Sequence, residues 1–136
     1  MNRAQYTAFC SKKSLPKIRA FVESELRSLS VQDTMTHQLV LAVDEACANS
    51  IIHHHACDEN SSILLSISRH DDELRIELTD QGAPFPINEY RPSDIRDIIK
   101  KRNKGGLGIF LITKIMDKVE VIPGEGMFTY RFTKFL

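Results

Sequence analysis

The chain has 136 residues, a length that suits one domain with a single hydrophobic core, so we expect residues 1–136 to form one unit. Its 18 basic residues balance 18 acidic residues, so no net charge favours direct binding to nucleic acid or to an anionic membrane. The three cysteines, Cys10, Cys47 and Cys57, are odd in number and lack C-x-x-C spacing, which argues against a disulfide framework and a zinc site and favours a reducing cytoplasm.

The first part of the chain predicts one strand followed by two helices. Residues 3–10 alternate weakly between apolar and polar, as a short strand does. Ser14 is placed to cap the N-terminus of an amphipathic helix, and Asp33 is placed to cap a second helix that runs to about His55. The second helix carries the most informative residues.

The rest of the chain predicts two hairpins that are separated by a long loop and a helix. Alternating apolar residues predict four strands, at 63–67, 74–78, 118–122 and 127–133. Between the hairpins, residues 80–108 are irregular apart from a short helix at about 93–101, and a loop of this length in a compact domain is usually functional. A third main helix is expected at 108–117.

This order of elements predicts an α+β fold. Hairpins require antiparallel pairing, and helices that are segregated from the strands cover one face of a sheet. We therefore expect a two-layer α/β sandwich with one mixed, mostly antiparallel sheet and helices on one side. Such an architecture leaves the long loop free to cover a ligand.

Two polar residues lie within the second predicted helix, which is otherwise largely apolar at this point. Glu45 and Asn49 lie one helical turn apart, in a column that His53 continues. A solvated helix face is the ordinary explanation of such a column. The neighbours of this column are largely apolar, however, so the helix should be buried on both sides. A buried carboxylate and amide need partners, and a metal-bound phosphate would provide one.

The segment D-Q-G-A-P-F at 80–85 begins where an apolar strand ends. Asp80 could point into a cleft there, and Gly82 would let the backbone pass close to a flat ligand. Many D-x-G segments serve only to make a tight turn, so this motif alone is weak.

A glycine run, Gly105-Gly106-Leu107-Gly108, leads directly into the third helix. The backbone N–H groups at the start of a helix have no partners within it and readily bind phosphate. A hinge for the loop is an alternative that is compatible with phosphate binding. The run is not a Walker motif, because no G-x-x-x-x-G-K-[ST] pattern is present.

In this order and spacing, E-A-C-A-N-S at 45–50, D-Q-G-A-P-F at 80–85 and G-G-L-G-I-F at 105–110 resemble the GHKL, or Bergerat-fold, ATPases. The similarity is greatest to the compact anti-sigma factor serine kinases, including L-A-V-D-E-A-C at 41–47 and His53 four residues after the Asn. The resemblance spans nearly the whole chain. It implies a Bergerat fold that contains a left-handed βαβ unit, with a mobile ATP lid at about 86–104.

The resemblance also implies roles for individual residues. Asp80 would accept a hydrogen bond from the adenine amino group, Asn49 would give an oxygen to Mg²⁺, and Glu45 would be the catalytic general base. Lys104 would neutralise phosphate charge, whereas the neighbouring basic run 100–102 also fits a solvated helix end. The implied ATP-binding residues are Asn49, Asp80, Gly82, Lys104, Gly105, Gly106, Leu107 and Gly108.

The function that this resemblance implies is an ATP-dependent serine/threonine-protein kinase. Such a protein binds a sigma factor, phosphorylates an anti-sigma factor antagonist and forms a homodimer. The alternative is an ATP-responsive switch that binds similar partners without kinase activity, although the presence of Glu45 favours the kinase. The catalytic part of a histidine kinase is a third possibility, but the chain has no room for a dimerisation helix pair.

Two further features bear on location and on metals. Residues 1–6 contain no apolar stretch that resembles a signal peptide, so we expect a cytoplasmic protein. The triplet His53-His54-His55 does not predict a metal site, because consecutive helical residues diverge by about 100° and cannot converge on one ion. We expect these histidines to have structural or surface roles.

Overall fold

The computed structural model describes residues 3–56, 58–81 and 106–136. Several predicted features lie outside these ranges, namely the short helix at 93–101, the lid at 86–104, Gly82, Lys104 and Gly105.

The strands and helices of the described chain follow the order that the sequence predicts. In chain order they are β1 (Ala4–Phe9), α1 (Ser14–Ser28), α2 (Asp33–Ala48), a π-helical segment (Asn49–His54), β2 (Ser62–His70), β3 (Glu73–Gln81), α3 (Gly106–Ile115), β4 (Lys118–Pro123) and β5 (Met127–Phe135). None of the helices in the described ranges has the length and apolarity needed to cross a bilayer.

The five described strands form one sheet in the order β1-β2-β3-β5-β4, and every neighbouring pair is antiparallel. Strand alternation places the apolar side chains on one face, where they are buried. The members of this face are Ala8, Ile63, Leu65, Ile67, Leu74, Ile76, Leu78, Phe128, Tyr130 and Phe132. The predicted α+β fold with helices on one side of the sheet is therefore confirmed, although the described sheet is antiparallel throughout rather than mixed.

The helices pack on this apolar face and complete a single core. Helix α1 contributes Ile18, Val22 and Leu26 at helical spacing, because residues three and four apart lie on the same side of a helix. Its Phe21 stacks on Tyr6 of β1, with ring centroids 5.2 Å apart. Helix α2 lies between α1 and α3 and contacts both of them.

The opposite face of the sheet carries small and charged residues. Glu77 at its centre is 11% exposed and pairs with two arginines, Arg131 at 3.2 Å and Arg3 at 3.5 Å. The hydroxyls of Thr79 and Thr129 hydrogen-bond across β3 and β5 at 3.0 Å. The two faces thus follow the alternation of β2, β3 and β5.

Two predicted helix caps are wrong. Ser14 and Asp33 are the first residues of α1 and α2, and neither helix has a side-chain hydrogen bond at its cap position. The Asp33 carboxylate instead pairs with Arg27 of α1, which is an alternative use for an acidic group near a helix start. The second helix is also not α-helical throughout, since it widens into the π-helical segment after Ala48.

Two leucines of α2 provide a matched test of this packing. Leu39 is fully buried and Leu41 is 44% exposed. We expect Leu39→Ala to lower the free energy of unfolding by about 2–5 kcal/mol, because it removes buried methyl groups and leaves a cavity. Leu41→Ala should lower it by less than about 1 kcal/mol. Urea unfolding of both variants measures these losses, and equal losses would contradict the orientation of α2.

Candidate functional site

Glu45 and Asn49 lie where α2 passes into the π-helical segment, and both side chains are half-buried. These side chains are therefore less buried than expected from the sequence, which predicted a helix buried on both sides. The pKa of the Glu45 carboxyl is raised, first by its burial and second by the neighbouring charge of Asp44. Asp44 itself accepts a hydrogen bond from Arg19 of α1 at 3.0 Å.

Asp80 lies near the end of β3, opposite Phe128 of β5. Strand alternation places it on the same face as Ile76 and Leu78, so its side chain points toward the helices rather than toward water. The side chain of Asp80 is 0% exposed. A carboxylate in such a position requires hydrogen-bond donors.

The two oxygens of the Asp80 carboxylate have different surroundings. The Oδ1 atom is 2.5 Å from Nε2 of His55 and accepts the backbone N–H of Gln81 at 2.7 Å. The Oδ2 atom is buried and has no hydrogen-bond partner among the residues that the structure describes. Since unsatisfied buried carboxylate oxygens are costly, Oδ2 marks a position where a ligand donor would be stabilised.

The end of β3 lies close to α2. The thiol of Cys47 is completely buried, and its pKa is raised by that burial and then by the charges of Asp44 and Asp80. The charge of Asp80 thus acts on a side chain of α2, two residues from Glu45. The structure brings Asp80 and the helix that carries Glu45 and Asn49 into one region.

The glycine run leads into a helix that packs against α2. Helix α3 begins at Gly106, so the described part of the run, Gly106 to Gly108, forms its first turn. Helix α3 packs against α2, the helix that carries Glu45. The free N–H groups and the dipole at a helix start favour a bound anion.

His55 was not predicted as part of the site. It is 11% exposed and is the residue of the helical layer that hydrogen-bonds Asp80. The helical spacing could not reveal this contact, because the backbone at this point has π-helical hydrogen bonding, with His55 N–H donating to Ser50 O at 3.0 Å. The only feature of the sequence that could have indicated this contact is the triplet His53-His54-His55, which follows Asn49.

The described residues fit an adenine nucleotide with a magnesium ion. The Oδ2 atom of Asp80, which lacks a hydrogen-bond partner within residues 3–56, 58–81 and 106–136, is an acceptor that matches an exocyclic amino group. Asn49 offers an amide oxygen, which is the kind of ligand that the hard Mg²⁺ ion takes. The fit is one of chemical type: a carboxylate acceptor suits the amino group, and an amide oxygen suits the metal ion.

Comparison with known protein families gives an independent result. Residues 10–134 match the model of the family described as the histidine kinase-like ATPase domain. This match covers nearly the whole chain.

Two curated relatives are both named serine-protein kinase RsbW. The protein of Halalkalibacterium halodurans is 40% identical over 100 residues, which cover 71% of this chain and 60% of that protein. The protein of Bacillus licheniformis is 32% identical over 102 residues, which cover 72% of this chain and 63% of that protein. The chain thus spans about three fifths of the length of these relatives.

Two solved structures share the fold. The RsbU and RsbW domains of Rv1364c from Mycobacterium tuberculosis match with a TM-score of 0.69 and 17% identity, over 100% of this chain and 33% of that chain. The SiaB–SiaC complex from Pseudomonas aeruginosa matches with a TM-score of 0.63 and 11% identity, over 98% of this chain and 89% of that chain. At these identities the likeness concerns the fold alone.

The raised pKa of Glu45 can be tested by changing its neighbour. We expect Glu45 to titrate above the ordinary glutamate value of about 4.3. Asp44→Asn should lower the pKa of Glu45, because it removes a negative charge that disfavours the carboxylate, and should not restore the ordinary value, because burial is the larger cause. A carbon-detected NMR titration measures both values. A wild-type Glu45 that titrates below the ordinary value would contradict this environment.

Proposed function

The chain belongs to the histidine kinase-like ATPase domain family, and we propose that it is an ATP-dependent serine/threonine-protein kinase that binds a sigma factor and phosphorylates an anti-sigma factor antagonist. The two relatives named serine-protein kinase RsbW support the reaction class, and the sequence resemblance to anti-sigma factor kinases supports the partners. We further propose that residues 1–136 act as one domain with an ATP lid at 86–104, in a cytoplasmic homodimer.

The observation that carries the proposal is the buried Oδ2 atom of Asp80, which has no hydrogen-bond partner among the described residues. Adenine is a flat, largely apolar heterocycle with an amino group at position 6, and this group would donate to Oδ2. Guanine has a carbonyl oxygen at the same position, which the carboxylate would repel. In this proposal Asp80 selects the base, and Gly82 lets the backbone pass close to it.

The phosphates and the metal ion would lie toward α2 and α3. The amide oxygen of Asn49 would bind Mg²⁺, while Lys104 and the backbone of the run Gly105-Gly106-Leu107-Gly108 would hold the phosphates. Mg·ATP, when bound, supplies the phosphoryl group that is transferred. Helix α3 supports this arrangement, because it starts with free N–H groups in the glycine run and packs against α2, the helix that leads to Asn49.

Glu45 would take the proton from the serine or threonine hydroxyl of the partner. A general base is most effective when its pKa lies near the working pH, and the raised pKa of Glu45 shifts the group in that direction. Its side chain is half-buried, so it remains accessible to a hydroxyl that approaches from outside the domain.

A regulatory switch that binds ATP and the same partners without transferring phosphate is the second candidate. The presence of a half-buried carboxylate at Glu45, which could accept the proton of a hydroxyl, favours the kinase over this switch. Transfer of labelled γ-phosphate to a co-encoded antagonist protein separates the two. Transfer is the expected result, whereas a stable complex with the antagonist and no transfer would favour the switch.

Asp80→Asn tests the base contact. We expect ATP to bind about 10- to 100-fold more weakly to this variant, because a hydrogen bond to a charged acceptor contributes about 1.5–3 kcal/mol. Isothermal titration calorimetry with Mg·ATP measures the change, and thermal unfolding verifies that the variant is folded. An unchanged affinity would remove Asp80 from the site.

Glu45→Gln tests the catalytic role. We expect the affinity for ATP to change by less than about threefold, while the rate of phosphoryl transfer falls by about 100-fold or more, as loss of a general base predicts. Glu125→Gln, at an exposed turn residue, is the matched control and should leave both quantities unchanged. Full transfer activity in Glu45→Gln would refute the assignment.

A further inference from the structure

Given the proposed function, on which this inference rests, we propose that His55 is a positioning residue that fixes the Asp80 carboxylate for recognition of a 6-aminopurine. The contact joins the π-helical end of the helix layer to the end of β3, 25 residues further along the chain. Both side chains are withdrawn from water, since that of His55 is 11% exposed and that of Asp80 is 0% exposed.

The direction of the hydrogen bond follows from the chemistry of the two groups. A carboxylate oxygen only accepts a hydrogen bond, so Nε2 of His55 carries the proton and donates it to Oδ1 at 2.5 Å. Charge-assisted hydrogen bonds of this kind are short and strong. His55 therefore holds Asp80 in a defined orientation.

The backbone of Gln81 adds a second donor on the same oxygen, at 2.7 Å. With two donors on Oδ1, rotation of the carboxylate is restricted, and Oδ2 is kept as the oxygen without a partner among the described residues. Oδ2 is consequently the atom that accepts the ligand amino group. Without His55, either oxygen could turn toward Gln81, and the acceptor would lose its fixed position.

The local backbone explains why residue 55 makes this contact. The π-helical segment Asn49–His54 follows α2, and it ends with His55 N–H bonded to Ser50 O. Ala56 then has a positive φ of 49°, which turns the chain away from the helix. π-helical turns often occur at functional sites because they redirect side chains, and here the redirected side chain meets Asp80.

The role predicts an effect on base selectivity rather than on nucleotide binding in general. Inosine triphosphate differs from ATP in having a carbonyl oxygen at position 6, so it gains nothing from a well-placed carboxylate there. Loss of the His55 donor should weaken ATP binding. The binding of inosine triphosphate should stay unchanged or become slightly tighter, because its carbonyl oxygen would no longer face a fixed carboxylate. A merely structural role of His55 would weaken the binding of both nucleotides equally.

The experiment compares wild type, His55→Phe and His55→Gln by calorimetry with the magnesium complexes of ATP and inosine triphosphate. We expect His55→Phe, which keeps a ring but has no donor, to reduce the ATP preference by about fivefold or more. His55→Gln keeps an N–H donor and should retain the preference to within about threefold. An equal loss for both nucleotides, or an unchanged preference in His55→Phe, would overturn the proposal.

A measurement on the wild-type protein avoids any folding defect of the variants. Long-range ¹H–¹⁵N NMR spectra of the His55 ring at pH 8 should show that Nε2 carries a proton. A tautomer in which Nε2 carries no proton would overturn the proposal. The adenine contact itself is tested separately by Asp80→Asn. If that variant loses the ATP preference while both His55 variants keep it, the nucleotide site stands and the role of His55 is refuted.

Discussion

A carboxylate withdrawn from water at the end of a central strand is the constraint on which the site depends. Asp80 is buried between the sheet and the helices, and such a group is stable only when donors surround it. His55 and the backbone of Gln81 both donate to Oδ1, whereas Oδ2 has no partner in the described part of the chain. This unequal pairing links the two layers of the fold and shows where a ligand donor would be stabilised.

The rest of the proposed site is arranged by two elements next to this carboxylate. Helix α2 lies near the end of β3, since the charge of Asp80 acts on its Cys47, and it carries Glu45. Its π-helical continuation begins at Asn49 and leads to His55. Helix α3 borders α2 and starts within the glycine run. Base recognition and phosphoryl transfer are thus proposed for residues of one continuous helical stretch and the strand beside it.

Much of the fold could be predicted because local patterns reflect which face is buried. Alternation in β3 and β5 indicated one apolar face, and the order of hairpins and helices indicated the α+β architecture. The cap at Asp33 was wrong because its carboxylate pairs with Arg27, a tertiary contact that no local pattern reveals. The cap at Ser14 was wrong because Lys13 before it already has helical backbone angles. His55 was missed for a similar reason, since its partner is distant in sequence and an ideal helix does not describe the π-helical backbone. The roles of Glu45, Asn49 and the glycine run remain predictions.

The most direct test of the account is a crystal structure with Mg²⁺ and a non-hydrolysable ATP analogue. We expect the adenine amino nitrogen to lie about 3 Å from Oδ2 of Asp80, with the amide oxygen of Asn49 on the metal ion. A nucleotide bound elsewhere, or an adenine that makes no contact with Asp80, would contradict the central claim.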